Sequence, residues 1–362
     1  MDLNITDEQK ALTEAVSGVL ARHGNPASNS GVSAEPAAHD PKVWEALVEV
    51  GVPALPWSEE DGGVGAGFAE LTVAAAEVGK SRIHLPLAET VVAGAIITRT
   101  APDSLRRELI GALAEGSALP VPALDEPMRA WSPTAPTVRA EGSGESWTLT
   151  GTKAPVRFAQ DATHVVVSAD TGSGTGLFLV TDVQAKGESL TFEGTSATLL
   201  ADGEQAEQAL AEALALGGAV LCGEALGAME EALGRTTEYL RTRKQFGMPL
   251  AAFQALTHRA ADMYAELELA RSAALFAAMV ADDDPVDVDA IARCRSVVDR
   301  AGKLVGEEAI QMHGGVGVTA EYAVGHLTAR LTQIARTWGT PDDRVGELAA
   351  AVGGHESISL LG

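Results

Sequence analysis

The sequence predicts an α+β chain in three consecutive parts: an N-terminal helical domain, a middle antiparallel β domain and a C-terminal four-helix-type bundle. Three observations predict it. Helical patterns fill residues 1–118, short β-rich runs separated by Gly, Ser and Asp crowd residues 119–205, and long helical periodicity occupies residues 206–362. A chain of 362 residues, 46% of them hydrophobic, is long enough for such units to share a sizeable core.

Each part has its own signals. Thr6 with Gln9 forms a capping-box pattern ahead of an apolar-periodic run. PWSEEDGGVGAG breaks the chain at residues 56–67, after which helices resume. The runs TVRA, WTLTG, HVVVSA, GLFLV and SLTFEG follow at spacings typical of an antiparallel barrel or sandwich. In the last part, Leu226, Met229, Leu233 and Leu240 share one helical face, and Met263, Leu267, Ala270 and Ala274 share another. A third face carries Ile291, Cys294, Val298, Ala301, Val305 and Ala309. Further helices are expected after GGVGVT at residues 314–319 and after Thr340-Pro341.

Composition narrows the function. A formal charge of −24 makes condensed polyanions poor partners, so nucleic acid is not expected. No window approaches the ~18 consecutive apolar residues of a membrane helix, and MDLNITDEQK is acidic where a signal peptide is basic and then apolar. The expectation is a cytoplasmic protein that does not enter a membrane. Cys222 and Cys294 lie among small apolar residues, away from any CxxC or His cluster, and read as structural thiols.

Some motifs have plain explanations. GGVGAG at residues 62–67 has no strand before it and no βαβ unit after it, so it reads as a turn rather than a dinucleotide loop. ADDDPVDVD at residues 281–289 is interrupted by Pro285 and reads as an acidic loop capping the next helix, not a calcium loop. His258, His313 and His326 lack ligand spacing and read as structural, so no metal is expected.

RKQFG at residues 243–247, Gln254 and QMHGGVG at residues 311–317 are more informative. Arg243 offers a donor fork suited to pyrophosphate, Gln254 and Gln311 offer amide donors and acceptors, and Gly314, Gly315 and Gly317 allow a backbone to approach a ligand. In this order they resemble the FAD-binding signatures of acyl-CoA dehydrogenases: RxxFG, a Gln eleven residues after the Arg, and QxxGGxG. PWSEEDGGVGAG resembles the family's N-terminal loop and WTLTGTK its middle-domain strand. The resemblance implies the acyl-CoA dehydrogenase fold, FAD as cofactor and an acyl-CoA substrate. It also implies that Arg243, Phe246, Gln254, Gln311, Gly314, Gly315 and Gly317 reach the adenosine and pyrophosphate half of FAD, often the FAD of a neighbouring subunit.

The chain departs from the family pattern at the flavin ring and at the base. TEPxxGSD is here DEPMRAWS, with Asp125 for the Thr and Trp131 for the Ser, and the WIT wall is here Pro155, Val156 and Arg157. α-Proton abstraction from a thioester needs a well-placed acceptor. The family's YEGT-like segment, counted without gaps from GGVGVTAEY, is TWGT, which puts Trp338 in place of the Glu. An indole donates a hydrogen bond but accepts no proton. The alternative base position, counted back from Arg243, is Gly217; Glu212 and Glu224 lie five and seven residues away on the same helix.

These departures point to the degenerate subunit of a heteromeric acyl-CoA dehydrogenase, similar to actinobacterial α2β2 enzymes of steroid side-chain degradation. Electrons would pass to an electron-transfer flavoprotein. An anionic CoA thioester needs a locally basic site or one in another subunit, given the charge of −24. A homo-oligomeric enzyme with a relocated base and a non-catalytic scaffold remain as alternatives.

Overall fold

The structure is a computed structural model and describes residues 6–23, 40–144, 146–182, 184–319 and 322–354. The first five residues of the acidic start lie outside the described residues, as do residues 320 and 321 of the GGVGVTAEY stretch. The N-terminal helices are α1 (Asp7–His23), α2 (Pro41–Glu49), α3 (Phe68–Ser81), α4 (Leu87–Thr100) and α5 (Asp103–Ala114). The capping box forms as expected: Gln9 N–H donates to Thr6 Oγ1, and Thr6 N–H donates to Gln9 Oε1, both at 3.1 Å.

Strands β1 (Pro120–Ala123), β2 (Arg139–Ser143), β3 (Ser146–Lys153), β4 (His164–Asp170), β5 (Thr175–Val180), β6 (Ala185–Lys186) and β7 (Ser189–Asp202) form one sheet among the described residues. Pairings β4–β5, β5–β7, β7–β3, β3–β2 and β2–β4 close it into a ring, which protects edge groups from mispairing. The expected antiparallel arrangement needs correction at two pairings. β1 and β2 each run parallel to β4. β2 and β3 supply the long crossover that a parallel β1–β4 pair requires.

The C-terminal part contains α6 (Gly203–Thr242), the short strands β8 (Lys244–Gln245) and β9 (Met248–Pro249), α7 (Gln254–Ala281), α8 (Val288–His313), α9 (Ala323–Arg336) and α10 (Pro341–Ala351). All three apolar faces named from the sequence are buried. By length and composition α6 could cross a membrane, yet 89% of its most apolar window is buried inside the fold. Its apolarity is that of a central bundle helix, packed against α3, α4, α7 and α8.

Small residues allow α3 and α6 to touch backbone to backbone. A Cβ on Gly79 would lie 2.0 Å from the Glu224 carbonyl oxygen, and one on Gly227 would lie 1.8 Å from that of Ala76. The acidic loop behaves as the sequence suggested. Asp287 caps α8 by accepting from Ala290 N–H at 2.9 Å. Cys222 and Cys294 are buried and unpaired, and burial pushes both thiols up, away from the reactive thiolate.

The α3–α6 contact has a direct test on one helix. Gly227→Ala should destabilise the protein by about 2 kcal/mol or more through overpacking. Gly234→Ala, whose Cβ meets nothing within 4 Å among the described residues, should stabilise it by about 0.5–1 kcal/mol. Chemical denaturation of both variants measures the opposite signs.

Candidate functional site

The proposed nucleotide-binding residues converge at one end of the bundle. Arg243 follows the last turn of α6, its N–H donating to Tyr239 O at 2.8 Å, and its guanidinium has no partner among the described residues. The β8–β9 hairpin turns at Phe246 and Gly247, with φ of 52° and 81°. Two successive positive φ values are those of a type I′ turn. Phe246 is left 91% exposed, its ring edge-on to Phe253 at 6.2 Å. Gln254 opens α7, with its amide nitrogen 3.3 Å from His258 Nε2.

Gln311 is exposed in the last turn of α8. Gly314 ends the helix at φ 63° and donates to the carbonyls of Ile310 and Gln311. A Cβ on Gly314 or Gly315 would meet nothing within 4 Å among the described residues, so their backbone is bare. Gly317 is packed more closely: a Cβ there would lie 3.0 Å from both Ile310 O and His313 Cβ.

The segments that should face a flavin ring are engaged elsewhere. Lys153, fully buried, donates to Glu126 at 2.9 Å, Ser168 at 3.0 Å and the Leu124 carbonyl at 3.2 Å. Burial works against the Glu126 charge, but bonds from Thr137 and Lys153 outweigh it and hold that carboxyl at about 2. Burial raises neighbouring Asp125 to about 6, with Lys153 opposing. Arg157 turns inward: its Nε lies 2.9 Å from Glu89 Oε1, and its Nη1 donates to Thr337 Oγ1 at 3.3 Å.

The two base positions coincide in space. A Cβ on Gly217 would lie 2.7 Å from Cζ3 of Trp338 and 2.3 Å from Val92 Cγ2. The indole therefore occupies the volume that a side chain at 217 would need. Trp131 packs on Gly339, whose Cβ would lie 2.9 Å from the Trp131 Cδ1. A cavity of about 390 Å³ lined by Trp131, Leu210, Leu214, Gly218 and Arg295 abuts Trp338. Glu212 is bound by Arg99 at 2.9 Å and Gln208 at 3.1 Å, and Glu224 makes a buried two-pronged pair with Arg330 at 2.5 and 2.7 Å. Neither is available as a base.

Sequence reasoning missed Glu89, an isolated carboxylate in the apolar run LPLAETVVAGAII. It is buried, and burial raises its pKa while Arg157 opposes. The run's single charge was the available signal, since a buried charge needs a partner.

Comparisons with known proteins fit this architecture. Residues 6–117 match the acyl-CoA dehydrogenase N-terminal domain, and residues 208–350 match the C-terminal domain. The acyl-CoA dehydrogenase IpdE2 of Mycobacterium tuberculosis is 30% identical over 320 residues, which cover 87% of this chain and 88% of that protein. The Tcur3481–Tcur3483 steroid ACAD superposes with a TM-score of 0.87 at 28% identity, over 97% of this chain and 99% of that one. The ChsE4–ChsE5 complex from Mycobacterium tuberculosis does so with a TM-score of 0.86 at 25% identity, over 99% and 100%. The fold and these comparisons define a flavin-linked oxidoreductase. The chain belongs to the acyl-CoA dehydrogenase family, whose cofactor is FAD.

The two halves of FAD fit this chain differently. An unpartnered guanidinium, an exposed aromatic ring and a bare glycine backbone suit the adenosine-pyrophosphate tail. Around the segments expected at the isoalloxazine, Arg157 pairs with Glu89 and tryptophans pack on Gly217 and Gly339, while an open groove of about 500 Å³ runs along Asp125–Arg129 and Ala154–Pro155.

Asp125 makes a pH dependence testable. Its folded pKa of about 6 exceeds the ordinary 3.8, so the folded state holds the proton more tightly. Stability from this group is complete below the unfolded value and falls as pH rises through 6. Asp125→Asn should therefore stabilise the protein by on the order of 2 kcal/mol at pH 8 and have little effect near pH 4, as read from melting curves.

Proposed function

We propose that this chain is the degenerate subunit of a heteromeric acyl-CoA dehydrogenase. It lends Arg243, Phe246, Gln254 and the Gln311–Gly317 segment to the nucleotide tail of an FAD. The flavin ring, the acyl-CoA thioester and the catalytic base belong to a second, related chain. The observation that carries this reading is the Trp338 indole in the space beside Gly217: both positions that could carry a base form one filled volume. The locked carboxylates Glu212 and Glu224 support it.

In this reading Arg243, Phe246, Gln254 and the Gln311–Gly317 segment would hold the nucleotide tail of FAD, which when bound would supply the hydride-accepting chemistry. Residues 206–362 carry the half-site and the subunit interface, with 1–118 and 119–205 as the preceding domains. Two structural neighbours, the Tcur3481–Tcur3483 steroid ACAD and the ChsE4–ChsE5 complex, support an α2β2 assembly and a steroid side-chain CoA thioester. Fatty-acid β-oxidation, a cytoplasmic setting and transfer of electrons to an electron-transfer flavoprotein complete the proposal.

The test is co-expression with the related second chain, followed by flavin absorbance and thioester dehydrogenation. The chain alone should be colourless and inactive, and the complex should hold one FAD per pair of chains. Arg243→Ala should weaken FAD binding to the complex about tenfold or more, the expected loss of a charge-assisted bond to phosphate. A purified homo-oligomer that is yellow and turns over would overturn the reading in favour of a self-sufficient enzyme. Unchanged FAD content in the Arg243→Ala complex would point to a scaffold.

A further inference from the structure

The Gln311–Gly317 turn and Arg243 come from helices far apart in sequence, yet both must meet one pyrophosphate. Three aromatic rings join them. Tyr239, one turn before Arg243 on α6, stacks on His313 with centroids 4.4 Å apart and planes 29° apart. Tyr322 lies against the same imidazole at 5.0 Å and edge-on to Tyr239 at 6.2 Å. His313 precedes Gly314 and Tyr322 follows the turn, so both ends of the glycine segment are held to a single ring on α6.

The backbone repeats the connection. The Tyr239 carbonyl accepts the Arg243 N–H at 2.8 Å, and the Tyr239 hydroxyl donates to the His313 carbonyl at 3.5 Å. His313 lies 2.7 Å from the Ala309 carbonyl through Nδ1, which must therefore carry the proton. Its Nε2 is buried and has no partner among the described residues. Burial lowers the His313 pKa, with the Ala309 bond opposing. The contacts that the imidazole makes to the two phenols are through its ring.

We propose that Tyr239, His313 and Tyr322 are positioning residues that set the spacing between the Arg243 guanidinium and the bare Gly314–Gly315 backbone, so that both engage the same FAD pyrophosphate. The inference rests on the half-site reading above. It assigns a function to a histidine that composition and spacing left as merely structural.

A double-mutant cycle on the assembled heteromeric complex, read as the FAD dissociation constant, tests it. His313→Asn keeps an amide donor for Ala309 but removes the ring, and Tyr239→Leu keeps apolar bulk without the ring. Each should weaken FAD binding by about tenfold when Arg243 is present, the size of a lost aromatic pair. In an Arg243→Ala background each should change it by less than about twofold, because the residue being positioned is gone. Tyr239→Phe, which retains the stack, should restore affinity to within about twofold of the unaltered complex.

Additive effects in the two backgrounds, or unchanged FAD affinity in both ring-removing variants, would overturn the positioning role. If Arg243→Ala itself leaves FAD binding intact, the half-site reading fails instead. The two failures are therefore separable. Because His313→Asn and Tyr239→Leu come from different helices, a folding defect in one leaves the other to decide.

Discussion

One tightly filled volume beside α6 constrains the bundle. At residue 217 the helix carries only hydrogen, and the Trp338 indole and the Val92 side chain close over it. A thioester and a proton acceptor cannot share that space with an indole. Residue 338 follows α9 and residue 217 lies mid-way along α6, so the exclusion is a long-range event. On the β-domain side, Arg157 is turned inward onto Glu89.

Electrostatics reinforces the exclusion. Three buried carboxylates each have a cation: Glu224 with Arg330, Glu89 with Arg157, and Asp299 with Arg344. Removing one member of such a pair leaves an uncompensated buried charge, which is strongly destabilising. These acids are thus structural commitments that cannot be lent to proton transfer. At the other end of the bundle the charge −24 of the chain makes an uncommitted arginine informative. Arg243 is surface-exposed and follows the last turn of α6, ahead of the β8–β9 hairpin.

Local patterns were legible in the sequence where local chemistry sets the structure. The helical faces around Met229, Met263 and Val298 could be read from spacing alone, as could the Thr6–Gln9 box and the Asp287 cap. The turns at RKQFG and QMHGGVG were equally visible, because a hairpin turn and a glycine helix end are short-range events. Most missed features depend on partners distant in sequence. The parallel pairing of β1 with β4 is set by the crossover between them. Glu89 looked like a lone charge until Arg157, from the β domain, met it. Similarly, nothing in the spacing of Glu212 announces Arg99.

The acidic loop between α7 and α8 reaches across the molecule as well as capping its own helix. Asp282 accepts the Phe68 N–H at 2.8 Å at the start of α3, and Asp284 pairs with Arg99 at 2.7 Å on α4. Burial raises the Asp282 pKa, while the bond from Phe68 opposes that rise. A surface connection of the C-terminal bundle thereby becomes the terminus of an N-terminal helix. The two helical regions then share a fastening, and lengthening this loop would be felt first at the opposite end of the chain, as fraying of α3 from its beginning.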